Sequence, residues 1–554
     1  MRASEPGYIG SVRIRNRIVM APMISNLATP EGITTEAHMA YLEARARGGA
    51  GLIITEYTYI NDANARGSPN QLAAYSYERV PKLRRLTERI HRHGAKAFMQ
   101  IVHAGGKANA DINRKENFAP TAMEYLGRQV REMTTSEVEE VREQFIRAAK
   151  IAHAARFDGI ELHGAHGYLL HEFISPATNR RTDRYGGSFE NRLRLPQEIV
   201  DALKSELDIP VGIRISVLEY EEDGYSAEYG VKVADSLRGI DYVHLSSGRN
   251  APPGSSASFY SDTLHILRMI GRRPRVTTVA VGSIVDAAGV EEALKTVDFV
   301  AVGRGHLADP YFAYKVLNEP QSLRPCIRCN QACRDLSLGE VRCTVNPETG
   351  FEASYERMPR YSGDLVVAGG GVKGMEAALY ASKLGLRVTL YERAGQLGGQ
   401  LLHIFDERKK REFSRLLDYY RYALEKAGVQ VVLGEEFRGK DALLCTPEVT
   451  YSEVKPVGGE LRIDSNIYMY HDAALRYAGE AEVTMTERSL SSLDRARAMG
   501  FRKAAEARGV RFVRSLEDPT VRLIVREQYD LRAAMVSGRK AVDDMLALEG
   551  NLYL

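Results

Sequence analysis

Apolar residues in the first three hundred positions fall into short runs set far apart. Ile18–Ala21, Leu52–Thr55, Ala97–Gln100, Gly159–Leu162, Val211–Ile215, Tyr242–Leu245, Val276–Val279 and Phe299–Val302 are the clearest, and most are rich in β-branched or aromatic side chains. Between them lie longer charged stretches whose apolar positions recur at helical spacing. Examples are Ser136–Ala155, where Ser136 and Glu139 read as a capping box, and Phe189–Leu207. Strand and helix alternating in this way is the pattern of βα units, and eight of them predict a closed (β/α)8 TIM barrel over residues 1–318. An open doubly wound sheet is the alternative, but the length and the lack of an early glycine-rich phosphate loop favour the barrel.

Barrels of this kind place their chemistry at the carboxyl ends of the strands, and there this chain is polar. Met23 follows the first run, Glu56 the second, Gln100 and His103 the third, and His163 and His166 the fourth, while Arg214 and Ser216 lie on the fifth. After the last two runs come Gly282-Ser283 and Gly303-Arg304-Gly305, a setting in which backbone N–H groups and one cation hold a phosphate, or in which glycines simply make tight turns. The fourth segment, Glu161-Leu-His163-Gly-Ala-His166-Gly-Tyr168, is the most informative. Two imidazoles can hold one carbonyl oxygen against developing negative charge, and a phenol can deliver a proton beside it. A histidine pair also suits a metal, but no third ligand at useful spacing accompanies it.

Composition narrows the function. The 554 residues carry 75 Lys+Arg against 72 Asp+Glu, a net charge of +3, which gives no reason to expect nucleic-acid or membrane-surface binding. No apolar run is long enough to span a membrane and Met1–Gly10 has no leader-like apolar stretch, so a cytoplasmic protein is expected. Four of the five cysteines form Cys326-x2-Cys329-x3-Cys333-x9-Cys343, which reads as a metal site, zinc or iron–sulfur, with spacing unable to choose. Cys445 stands apart as a small core residue. Further on, Leu365-Val-Val-Ala-Gly369-Gly-Gly371-Val-Lys-Gly374 leads from a strand to a helix, and Glu392 follows Gly374 by 18 residues, as in a dinucleotide fold. Residues 401–554 contain no further G-x-G-x-x-G. Ser489–Arg508 reads as a helix and Val510–Val513 and Val521–Val525 as strands, a folded α/β remnant.

Together, His163-Gly-Ala-His166-Gly-Tyr168 and Ser175 through Arg192, with Asn16 through Met23, Gln100 through Gly105 and Val302-Gly-Arg304, resemble the old yellow enzyme family of FMN-dependent oxidoreductases over residues 8–318. The resemblance implies FMN contacts at Pro22, Met23, Tyr57, Gln100 and Arg214 and a phosphate site at Gly282, Gly303 and Arg304. It casts Tyr168, His163 and His166 as catalytic. The cysteines resemble those of the multidomain branch that includes 2,4-dienoyl-CoA reductase and trimethylamine dehydrogenase, which implies a [4Fe–4S] cluster in a segment 319–360. A Rossmann-like domain, 361–445, would then bind FAD or ADP through Gly369, Gly371, Gly374, Glu392 and Gln400, followed by a degenerate region, 446–554.

The expected activity is ene-reductase-like reduction of a C=C conjugated to a carbonyl or thioester. The alternatives are an amine dehydrogenase, favoured by Thr55-Glu56-Tyr57, and a flavin and iron–sulfur carrier with no substrate of its own. Against the amine reading stand the absence of tryptophan, the lack of any acid from Val243 through Ser261, Ile24 in the place of a flavin-linking cysteine and His163 in the place of a tyrosine. Electrons are expected from a ferredoxin or an electron-transferring flavoprotein, with direct use of NAD(P)H the alternative; a homo-oligomer is compatible with the sequence.

Overall fold

The structure is a computed structural model that describes the chain except residues 1, 126, 251–259, 336–338, 356–357, 405–406, 447–453, 494, 524–530 and 549–554. It divides into two compact units, Met1–Arg357 and Met358–Leu554.

In the first unit eight parallel strands close a barrel: β1 (Ile18–Met20), β2 (Leu52–Ile54), β3 (Lys96–Val102), β4 (Gly159–Gly164), β5 (Val211–Ser216), β6 (Tyr242–Ser246), β7 (Thr277–Ala280) and β8 (Phe299–Val302). Neighbours follow chain order and β8 returns to β1, Val300 beside Ile18, so no edge is left exposed. Every apolar run singled out above overlaps its strand. Val19, Leu52, Ile54, Phe98, Tyr242, Val279 and Phe299 fill one buried cluster in the barrel. Gly212 is required there, because a Cβ would collide with the Tyr242 ring.

Two helices differ from expectation. The helix between β3 and β4 is Thr135–Ala154, and its capping box is Thr134 with Glu137, two residues before the expected pair. Glu137 is preferred because its carboxylate also receives Arg131, at 2.6 Å. Phe189–Leu207 is two helices, Phe189–Arg192 and Arg194–Glu206. Pro196 has no N–H for the Arg192 carbonyl and its ring crowds that group, so one continuous helix cannot form.

The cysteine segment is part of this first unit. Val341 N donates to Ser25 O at 2.8 Å, Thr349 Oγ1 to Leu307 O at 2.7 Å, and Arg45 pairs with Glu352 out of solvent.

The second unit holds two parallel four-stranded sheets. One comprises β9 (Asp364–Ala368), β10 (Arg387–Glu392), β11 (Gln430–Leu433) and β12 (Leu443–Leu444), in the order β11-β10-β9-β12. The other comprises β13 (Glu460–Ser465), β14 (Glu482–Thr486), β15 (Arg511–Val513) and β16 (Val521–Leu523), in the order β15-β14-β13-β16. The helix Val372–Lys383 packs on Leu531–Leu548, where Arg539 meets the buried Glu376 at 2.7 Å. The expected helix Ser489–Arg508 is a 3-10 turn, Glu487–Leu490, and a helix, Arg495–Glu506. The end of Val521–Val525 lies outside the described residues. Among the described residues no helix is long and apolar enough to cross a membrane.

Candidate active site

Alternation along the barrel strands, combined with their register, stacks polar side chains in layers. Glu161 on β4 lies beside Gln100 on β3; one step toward the carboxyl ends His163, Arg214 and His244 are neighbours across β4, β5 and β6; beyond them Ser216 faces Ser246. Glu161, fully buried, anchors the lowest layer. It accepts from Gln100 Nε2 at 2.7 Å, His244 Nδ1 at 2.9 Å and the Tyr242 hydroxyl at 3.0 Å. Burial alone would raise its pKa, but His244, Arg214 and Gln100 hold it below the usual value, so the carboxylate is ionised. Burial pushes Arg214 down to about 10, opposed by Glu161, and it stays cationic at neutral pH.

Above this layer His163 and His166 meet edge to face at 5.2 Å, and Tyr168 stands edge to face with His163 at 4.9 Å. Burial, reinforced by Arg214, keeps both imidazoles well below their ordinary pKa and therefore neutral. A neutral imidazole still carries one N–H. His166 is held at φ +61, its N donating to Ser216 Oγ at 3.1 Å and its Nε2 bonded to Ser246 Oγ at 2.7 Å. Few non-glycine residues adopt that conformation, and at His166 the two serine contacts help to hold it. Tyr57 stacks on Tyr168 at 5.3 Å and bonds it through the hydroxyls; burial raises the Tyr168 pKa and the Tyr57 bond opposes that rise. The structure thus brings Tyr57, Gln100, His163, His166, Tyr168 and Arg214 to one mouth of the barrel.

Pro22 and Met23 follow β1, and Met23 lies against Gly303, where a Cβ would come within 2.6 Å of its Sδ. Arg304 reaches Ser283 Oγ at 2.7 Å, next to Gly282. Arg304 also lines a cavity with Cys326, Cys329, Cys333 and Cys343. Burial raises the thiols of Cys329 and Cys343 and pushes Cys333 up to about 12, so without a bound metal they are protonated.

In the second unit Gly369 and Gly371 lie in the turn from β9 into Val372–Lys383, and Gly374 lies in that helix's first turn. Gly374 makes a close approach there, since a Cβ would strike the Gly369 carbonyl. Glu392, at the end of β10, accepts from Gly370 N at 2.6 Å, and Gln400 is exposed in the turn Gly399–His403. At the equivalent turn after β13 side chains take the place of glycines. Ser465 N donates to Ser489 Oγ at 3.1 Å, and Ser465 Oγ donates to Leu523 O at 2.6 Å.

Sequence reasoning gave no role to Glu161, His244, Ser246 or Tyr242. The signal was present as polar residues two apart on otherwise apolar strands, Glu161-x-His163, Arg214-x-Ser216 and His244-x-Ser246.

Residues 4–321 match the NADH:flavin oxidoreductase / NADH oxidase family, and residues 364–404 match the FAD dependent oxidoreductase family. The chain is 39% identical to an NADH oxidase of Thermoanaerobacter brockii over 77% of its own length and 69% of that protein's. It is 31% identical to a cinnamate reductase of Clostridium sporogenes, over 80% and 73% of the two. Among solved structures, a 2-naphthoyl-CoA reductase superposes with a TM-score of 0.83 at 23% identity, over 92% of this chain and 87% of that one. A histamine dehydrogenase of Rhizobium sp. 4-9 superposes with a TM-score of 0.82 at 22% identity, over 98% and 96%. At those identities the two structures speak to fold alone. The chain belongs to the NADH:flavin oxidoreductase / NADH oxidase family and is an FMN-dependent oxidoreductase with an FAD-oxidoreductase-type domain after its barrel. The barrel mouth fits the cofactor: Gln100 Oε1, His163 Nδ1 and Arg214 Nε are buried without a protein partner, polar atoms that a planar heterocycle edged with N–H and C=O groups would engage.

Proposed function

We propose that the protein reduces a C=C bond conjugated to a carbonyl, carboxyl or thioester group at the barrel mouth. FMN, when bound, supplies the hydride for such a reduction. Gln100, fixed from below by Glu161, and Arg214, which donates to Ser246 Oγ at 3.3 Å, would hold its ring, and Gly282, Gly303 and Arg304 its phosphate. His163 and His166, neutral and buried, direct N–H groups at the substrate's carbonyl oxygen and stabilise the charge that grows there. Tyr168 gives its proton to the substrate carbon, and the Tyr57 hydroxyl stabilises the phenolate left behind. The observation that carries this reading is the cluster of Tyr168, His163 and His166, with His163 beside Arg214 and above the buried, ionised Glu161. The relative named cinnamate reductase, whose name denotes an unsaturated carboxylate, supports the substrate class.

In the same reading the cysteines hold a [4Fe–4S] cluster. All four border one cavity, yet among the described residues no three are set to bind a single ion. Zinc would require sulfurs about 3.8 Å apart around one centre. FAD or ADP belongs at Gly369–Gly374 and Glu392. The relative named NADH oxidase moves the expected electron donor from a protein partner toward a nicotinamide. With no glycine turn after β13, that nicotinamide would meet the flavin at the barrel mouth.

A second reading, amine oxidation, has Tyr57 stacked on Tyr168 in its favour, an aromatic pair suited to a cation. Against it, the ionised carboxylate described beneath the site, Glu161, is already matched to Arg214 and His244. Steady-state assays with cinnamate, a simple enone, an enoyl-CoA and trimethylamine separate the two. The proposal expects turnover with at least one unsaturated acceptor and none with the amine; the reverse pattern would replace it.

A further inference from the structure

The loop that carries the first three cysteines is fastened to the phosphate loops by two of its other side chains. Arg304 donates through Nη1 to Asn330 Oδ1 at 2.6 Å and through Nη2 to Ser283 Oγ at 2.7 Å, while forming part of the cysteine cavity wall. Arg328 donates to the hydroxyl of Thr263 and to Ser283 O, the latter at 3.3 Å, and its own carbonyl accepts Tyr260 N at 2.9 Å. Arg328 and Asn330 stand on either side of Cys329, and both lie in the left-handed region, at φ +50 and +47. Non-glycine residues persist there only where their surroundings over-determine the backbone. Ser283, at φ +53, is a third such residue in the same small network.

We propose that Arg304 serves both cofactor sites, so that a group held by the four cysteines strengthens the hold on the FMN phosphate, and the reverse. This rests on the assignment of both groups made above. A filled cysteine site pins the loop 326–334, keeps Asn330 against Arg304 and aims the guanidinium at the phosphate position beside Gly282 and Gly303. Its two described side-chain partners there are neutral, so they leave its charge for the anion. When the cysteines are empty the loop can relax toward right-handed backbone, Asn330 withdraws, and Arg304 loses its orientation. Linkage makes the effect equal in both directions.

The test compares the FMN dissociation constant of the purified holoenzyme with that of protein stripped of iron by an anaerobic chelator, reading flavin fluorescence and iron per chain. Stripping should weaken FMN binding about tenfold, within the usual range of coupling between sites. Asn330→Ala, which keeps every cysteine and Arg304, should bring that ratio close to one with the circular dichroism spectrum unchanged. Arg328→Ala provides a second route if the first variant does not fold. Equal FMN affinity with and without iron, or full coupling in both variants, would overturn the inference while leaving the cofactor assignments in place. A protein that binds no metal at its cysteines would overturn both together.

Discussion

Replacing Glu161 by glutamine keeps the volume at the base of the site and removes its charge. The carboxylate now receives three donors, Gln100 Nε2, His244 Nδ1 and the Tyr242 hydroxyl, at 2.7 to 3.0 Å. An amide accepts through one oxygen only. If that oxygen faces His244 and Tyr242, its NH2 meets the NH2 of Gln100, which must flip and present a donor to the mouth where it now presents the acceptor Oε1. Hydrogen bonds to a charged group are worth about 1.5–3 kcal/mol against about 1 for neutral ones. Weakening two bonds and inverting a third therefore costs about 2–4 kcal/mol, with Arg214 left unmatched in addition. Urea unfolding followed by circular dichroism measures this without tryptophan, which the chain lacks. FMN titration should show binding weakened by roughly 10- to 100-fold, the flipped Gln100 being the cause. The pH dependence is diagnostic. The native pKa of Glu161 lies below its value of 4.5 in the unfolded chain, so its stabilisation is present above pH 4.5 and fades as pH falls through the native pKa. A Glu161→Gln protein within 0.5 kcal/mol of the wild type at pH 7, with unchanged FMN affinity, would refute this account of the layer; differences that small are typical of surface substitutions.

Other outcomes follow from the same geometry. His163 and His166 are held neutral, so below pH 6.5 the unfolded chain binds protons that the native chain refuses. Stability should fall by up to ~1.4 kcal/mol per pH unit for each imidazole, and His163→Asn should flatten that slope in urea titrations between pH 5 and 7. Glu172 is pushed up to about 8 by burial, only partly offset by the Gly106 N–H and Lys107. Its native carboxyl is protonated where the unfolded one is not, so Glu172→Gln should gain stability over the wild type as pH rises from 4.5 to 8 and show no gain at pH 4. Phenols bind as enolate mimics in the proposed site, so His163→Ala should weaken their charge-transfer absorbance with bound flavin by about tenfold or more, the loss of one hydrogen bond to a charged oxygen.

The barrel was legible because each inner strand is a short apolar run bounded by polar helices, and closure followed from counting eight. Finer marks were not. Thr134-Thr-Ser136-Glu137-Val-Glu139 satisfies the capping pattern in two registers, and only the position of Arg131 selects between them. Pro196 marks the break before Arg194–Glu206, yet the surrounding apolar spacing runs through it. At the site, His163, His166 and Tyr168 are contiguous and conspicuous. Glu161, His244 and Ser246 become partners only through the register of three strands far apart in sequence. The sheet β13–β16 keeps the strand order of β9–β12 without its glycines, so a fingerprint search passes over a fold that hydrogen bonding and packing still specify.

The central claim, proton delivery by Tyr168 during reduction of an activated double bond, is tested most directly by single-turnover reoxidation. Protein reduced anaerobically with dithionite is mixed with cinnamate, an enone or an enoyl thioester, and the return of the flavin absorbance is timed for the wild type and Tyr168→Phe. The account predicts rapid reoxidation by at least one acceptor in the wild type and a rate at least about 100-fold lower in Tyr168→Phe, the loss expected for a general acid. Equal rates in the two proteins, or reoxidation by none of these acceptors while an amine bleaches the oxidised flavin, would contradict it.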